Sequence, residues 1–135
     1  MKKQYTKAEK AEYFKKLRNQ WKSAKLKADS DGFDVSVIWQ ESFRTGIEVS
    51  YYGFVFIYLQ MKEQGLSGSP VIDAKTFHGW KQSGFKVKKG EKSTLSGITW
   101  VGVADSENPD TFEYMIPKAY HLFHSSQVEP IEGAS

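Results

Sequence analysis

Cysteine is absent from this chain. That absence excludes a disulfide framework, thiolate nucleophiles and zinc–thiolate sites. Also missing is any apolar run long enough to span a bilayer, which takes about 20 residues. The densest run, Tyr51 to Leu59, has nine. Lysines open the N-terminus, but no apolar core follows them, so no secretory signal is expected. G-x-S-x-G and HExxH are both lacking, and the lysines between Gly84 and Gly90 lack the G-K-[ST] of a Walker A loop. No acid pair stands out in the sequence. These gaps point to a cytoplasmic protein with no membrane association, no cofactor and no enzymatic activity.

Histidine is scarce, with three in the chain. His121 and His124 lie three apart in a stretch that reads as strand, which puts them on opposite faces. No carboxylate sits at a familiar ligand spacing, so no metal site is expected. His78 reads as a helix surface residue.

The 135 residues suffice for one domain with a core. Hydrophobic content of 39% and charged content of 26% fit a folded domain rather than a disordered chain. Aromatics make up 15%, enough to serve either a core or a stacking surface. The net charge is only +3, but it is unevenly spread. Residues 1–30 hold ten Lys or Arg against three acids, and the other 105 hold nine against thirteen. A polyanion would meet the basic N-terminal stretch and a local cluster from Lys81 to Lys92.

Residues 6–29 carry the clearest helix pattern. Thr6 and Glu9 form a capping box. Phe14, Leu17, Trp21, Ala24 and Ala28 recur at alternating spacings of three and four, giving one apolar face. Lysines cover most of the rest, and this face serves either as a solvated exterior or as a phosphate contact. Asp29 to Phe33 reads as a turn. Val35 to Trp39 fits a strand or the start of a second helix. Tyr51 to Gln64 is apolar on nearly every side and reads as a buried helix, with Gly65 as its stop. Leu95 to Ala104 reads as a strand, residues 105–110 as a polar loop, and Phe112 to Leu122 as a second strand. Residues 92–124 thus predict a long antiparallel hairpin. Pro117 within it predicts a bulge or an edge position. The tail, residues 128–135, is expected to fray.

The stretch from Asp73 to Lys92 organises the chain around it. Asp73 is a candidate N-cap, Phe77 and Trp80 share one side of a short helix, and Gly84 sits where a helix commonly ends. Phe85 to Lys88 alternates with period two, so Phe85 and Val87 face inward, and Lys86 and Lys88 outward. Lys89 to Glu91 reads as a tight turn leading to Lys92. Proteins that hold single strands combine a basic track with rings on which bases stack. The expected nucleic-acid-binding residues are therefore Lys81, Lys86, Lys88, Lys89, Lys92, Trp80, Phe85 and Trp100. The competing reading makes Phe77, Trp80 and Phe85 core anchors.

At these residues the chain resembles the N-terminal single-stranded-DNA-binding domain of ArdC-type antirestriction proteins, found on plasmids, phages and related mobile elements. Phe77, Trp80, Gly84 and the run from Val87 to Lys92 match one block of the family pattern. Leu122 to Gln127, with its Ser-Gln pair, matches another, and Tyr52-Gly53 before an apolar helix is similar to an earlier one. The likeness covers residues 50–130 well and 6–50 loosely. Two features depart from it. Phe54, Val55 and Phe56 stand where the family usually carries an Asn, and the metalloprotease domain of longer members has no counterpart in these residues.

The resemblance implies a bacterial, sequence-tolerant single-stranded DNA-binding protein of a mobile element. Its partners would be single-stranded DNA and replication or conjugation proteins. The alternative is a non-enzymatic protein-interaction module of such an element. A DNA mimic is disfavoured by the basic balance. The expected fold is one α+β domain, a small antiparallel sheet built on a long β-hairpin with helices packed against it.

Overall fold

The computed structural model of the chain describes residues 6–104 and 112–132. The polar loop expected at 105–110 lies outside them. In chain order the elements are α1 (Lys7–Ala28), α2 (Ser36–Glu41), a 3-10 turn (Ser42–Thr45) and α3 (Tyr51–Glu63). There follow β1 (Ala74–Lys75), α4 (Phe77–Gln82), β2 (Phe85–Val87), β3 (Leu95–Ala104), β4 (Phe112–His124), a second 3-10 turn (Ser125–Gln127) and β5 (Val128–Pro130). The fold is α+β. One antiparallel sheet has the order β1-β4-β3, and a second pairs β2 with β5.

Local chemistry explains α1 and α3. At α1, the Thr6 hydroxyl accepts from Glu9 N while the Glu9 carboxylate accepts from Thr6 N. This satisfies two donors that the helix leaves orphaned. At α3, the Ser50 side chain accepts from Gly53 N. The other end of α3 closes with Gly65 N bonded to Lys62 O and Leu66 N to Met61 O, the paired bonds of a Schellman motif.

The core forms where these helices meet the hairpin. Leu17 and Ala24 of α1, Phe56, Ile57 and Met61 of α3, and Leu95, Ile98 and Leu122 of β3 and β4 pack as one buried cluster. So α1 is a core helix with a basic exterior, not a detached arm. Two of its lysines rest on rings, Lys25 at 5.1 Å from the Tyr52 centroid and Lys27 at 5.4 Å from that of Phe33. The ambiguous stretch after residue 35 resolves as helix. Its Trp39 indole donates to Val49 O at 2.8 Å, and its ring meets Phe43 and Tyr51 edge-on.

Two expectations need correction, and a third is met in one of its two forms. Asp73 does not cap α4. Its carboxylate accepts from Ser69 N in the preceding loop, and Thr76 is the cap, accepting from Gly79 N. The tail from 128 does not fray at its start, because Val128–Pro130 pairs with β2 and Ile131 N donates to Gly84 O. The hairpin's irregularity falls between Val103 and Ala104, while Pro117 stays in register opposite Trp100. The edge expectation for Pro117 holds. Among the described residues the other side of β4 is paired only at Phe123 and His124, by β1.

Strand β3 lies at the rim of its sheet. Side chains of α3 occupy that rim. The Gln60 amide donates to Ser96 O at 2.7 Å and accepts from Ser96 N at 3.0 Å, and Gln64 donates to Thr94 O at 2.7 Å. One helical turn separates the two glutamines, so both reach the same strand. Replacing Gln60 with Ala strips Ser96 of both partners. The expected loss is about 2 kcal/mol, since partly buried backbone groups left unpaired cost roughly 1–3 kcal/mol. Urea unfolding followed by circular dichroism measures it.

Candidate nucleic-acid interface

The chain from Thr76 to Lys92 folds back on the end of the hairpin. Trp80 is buried at 5% exposure. Its indole donates to Phe123 O at 2.8 Å, and its ring meets Phe85 edge-on at 5.6 Å. Behind it, Lys75 stands 4.8 Å from the ring centroid and donates to both Val71 O and Ile72 O. Burial lowers the Lys75 ammonium's pKa, an effect opposed by the nearby Asp73 carboxylate. Those carbonyls belong to a strained turn in which Val71 has φ +72°, a region β-branched residues rarely enter.

Three rings of the expected stacking surface are thus already engaged. Trp80 is a core anchor joining α4 to β4, and Phe85 is half-buried against it. Trp100 lies with the core on α1, 5.9 Å from Trp21 and nearly perpendicular to it. Trp80 is buried, while Phe85 and Trp100 are each partly buried with one edge-on ring contact.

The lysines behave differently. Lys81, Lys86, Lys88, Lys89 and Lys92 are all exposed. Lys86 faces Glu129 across the β2–β5 ladder at 3.8 Å, and Lys88 reaches Ser126 O at 3.2 Å. Lys89 and Lys92 have no salt bridge among the described residues. The turn that carries them closes through Glu91 N to Lys88 O, with Gly90 at φ +86° supplying the left-handed step.

Gln127 clamps this turn at both ends. Its backbone carbonyl accepts from Lys88 N at 2.9 Å, and its amide donates to Lys92 O at 2.7 Å and to the Glu91 carboxylate at 3.2 Å. Its side-chain oxygen accepts from His124 N at 2.9 Å. His124 is itself buried. Its Nε2 lies 2.7 Å from Ser67 O and its Nδ1 accepts from Ser126 N. A carbonyl on one nitrogen and an N–H on the other assign the neutral tautomer with the proton on Nε2. The two sequence blocks that carry the family resemblance, residues 87–92 and 122–127, therefore meet through one buried amide.

Beside the turn runs an open groove lined by Phe77, His78, Lys92, Tyr120, His121 and Phe123. Phe77 is 52% exposed, and Lys81 stands 5.6 Å from its ring centroid. Tyr120 folds its ring over Gly97, its cross-strand partner, in space a side chain there would occupy. Burial raises the pKa of the Tyr120 phenol. Reading the sequence for binding residues missed Tyr120, His121 and Phe123, which lie some thirty residues beyond the lysine cluster. The hairpin register alone could have placed them, since it brings Tyr120 opposite Gly97 and Leu122 opposite Leu95.

His121 is exposed while His124 is buried, as their strand spacing requires. Among the described residues no three His, Asp or Glu side chains gather as a metal site, and no helix is long and apolar enough to cross a membrane. No family model, curated protein or solved structure matches the chain.

Proposed function

We propose that this protein binds single-stranded DNA with little sequence preference, as a cytoplasmic, non-enzymatic component of a bacterial mobile element. The observation that carries the binding is the lysine turn. Lys88, Lys89 and Lys92 belong to a turn that Gln127 holds at both ends, and Lys86 lies on the strand leading into it. Four ammonium groups within seven positions repel one another, and a phosphate backbone relieves that repulsion. Holding the turn in place beforehand lowers the ordering cost of binding. The mobile-element setting, and replication or conjugation proteins as partners, rest on the resemblance to the ArdC-type domain.

Fluorescent single-stranded and duplex oligonucleotides of equal length, titrated at about 50 and 200 mM salt, test the proposal. Single strands are expected to bind more tightly. Their log affinity should fall with log salt by roughly 0.7 per phosphate neutralised. Equal or tighter duplex binding would leave only generic electrostatics and overturn the reading.

A further inference from the structure

We propose that the groove between α4 and β4 receives an unpaired nucleobase, stacked against Phe77, with the adjoining phosphate on Lys92. This rests on the single-stranded DNA reading and supplies what that reading lacks, a surface for bases. Trp80, Phe85 and Trp100 are committed to packing. Phe77, by contrast, leaves half its surface to solvent at the start of α4. A phenyl ring so exposed contributes little to the core, whereas a flat π-face beside cations is what base stacking uses.

The lining decides the class of occupant. Besides Phe77, the groove is lined by His78, Tyr120, His121, Phe123 and Lys92, with Thr76 and Ser93. Among the described residues no carboxylate lines the groove. A cationic ligand would find no counter-charge there, while an aromatic group joined to an anion finds both of its halves matched. Lys92 also ties the groove to the lysine turn. Its backbone carbonyl is held by Gln127, and the same residue lines the groove. A strand whose phosphates follow Lys88 and Lys89 therefore arrives with a base at Phe77.

The test compares two labelled oligomers of equal length on the full chain, oligo-deoxythymidine and its abasic counterpart, which keeps the phosphates and lacks the bases. The wild-type protein is expected to prefer the base-bearing oligomer by roughly 5- to 150-fold, the range of one stacked base. Phe77→Ala should abolish most of that preference while leaving abasic affinity and salt slope unchanged. Phe77→Trp should keep it. Because Phe77 is exposed, both variants are expected to fold, which circular dichroism checks.

A wild type that binds both oligomers equally overturns the base site and leaves the phosphate reading standing. A Phe77→Ala variant that keeps the full preference also overturns the base site. Failure of the wild type to bind either oligomer overturns the DNA reading and the base site with it. Photocrosslinking with 5-iododeoxyuridine gives a second readout. Adducts on Phe77, Tyr120 or Phe123 support the site, and adducts confined to other residues overturn it.

Discussion

Replacing Trp80 with Ala is expected to destabilise the fold by about 4 kcal/mol, in the range of buried Trp-to-Ala changes. Small domains have margins of about 5–15 kcal/mol, so about a quarter to four-fifths of the stability would go. The midpoint of thermal unfolding should fall by about 12–20 °C for a chain of this length. The cost has several sources in the geometry. The indole fills the space between α4, β2 and β4, donates to Phe123 O, supports the edge of Phe85 and receives the Lys75 ammonium. Removing it leaves a cavity and takes one donor away from Phe123 O. Trp80→Phe should recover part of the loss, since it restores ring volume without the donor. Calorimetry on the three proteins measures the series. A Trp80→Ala variant that kept wild-type stability and lost only DNA affinity would return the ring to the binding surface.

The second large effect concerns affinity. Changing Lys86, Lys88, Lys89 and Lys92 together to Gln should weaken single-strand binding across all sequences alike, because phosphate contacts carry no base information. The salt slope should shrink by roughly 0.7 for each phosphate that is no longer neutralised, so by up to about 3. Stability should barely change. The Lys86–Glu129 pair lies at the surface, about half-exposed at both ends, and such pairs are worth about 0–1 kcal/mol. Backbone atoms of residues 88 and 92, untouched by the substitutions, make the bonds to Gln127. A folded quadruple variant with wild-type affinity and slope would remove this turn from the interface.

How far the sequence could be read depended on whether a signal was local. The capping box of α1, the all-round apolar α3 and the alternation of β3 and β4 are each written within one segment, and each element formed as expected. Asp73 and Thr76 are both capable caps three residues apart. Only the position of Ser69, across the preceding loop, assigns Asp73 elsewhere. Strands β1 and β5 have two and three residues, too few to show a period, and exist because β4 and β2 offer them a ladder. The clamp made by Gln127 could not be read locally, because its partners, Lys88, Glu91 and Lys92, lie over thirty residues away. The same holds for the rings. A Trp beside a Lys reads alike whether it faces water or the core, and Trp80 and Trp100 face the core.

The glutamine amides on the rim of β3 bear on how copies of this protein behave at high concentration. Exposed sheet rims invite a strand from a neighbouring molecule, the first step toward fibrous aggregates. Here an incoming strand must compete at Ser96 and Thr94 with side chains tethered to the same molecule, whose effective concentration is about millimolar or higher. Association at the Thr94–Ser96 end of this rim is therefore gated by local opening of the α3–β3 packing rather than by collision frequency.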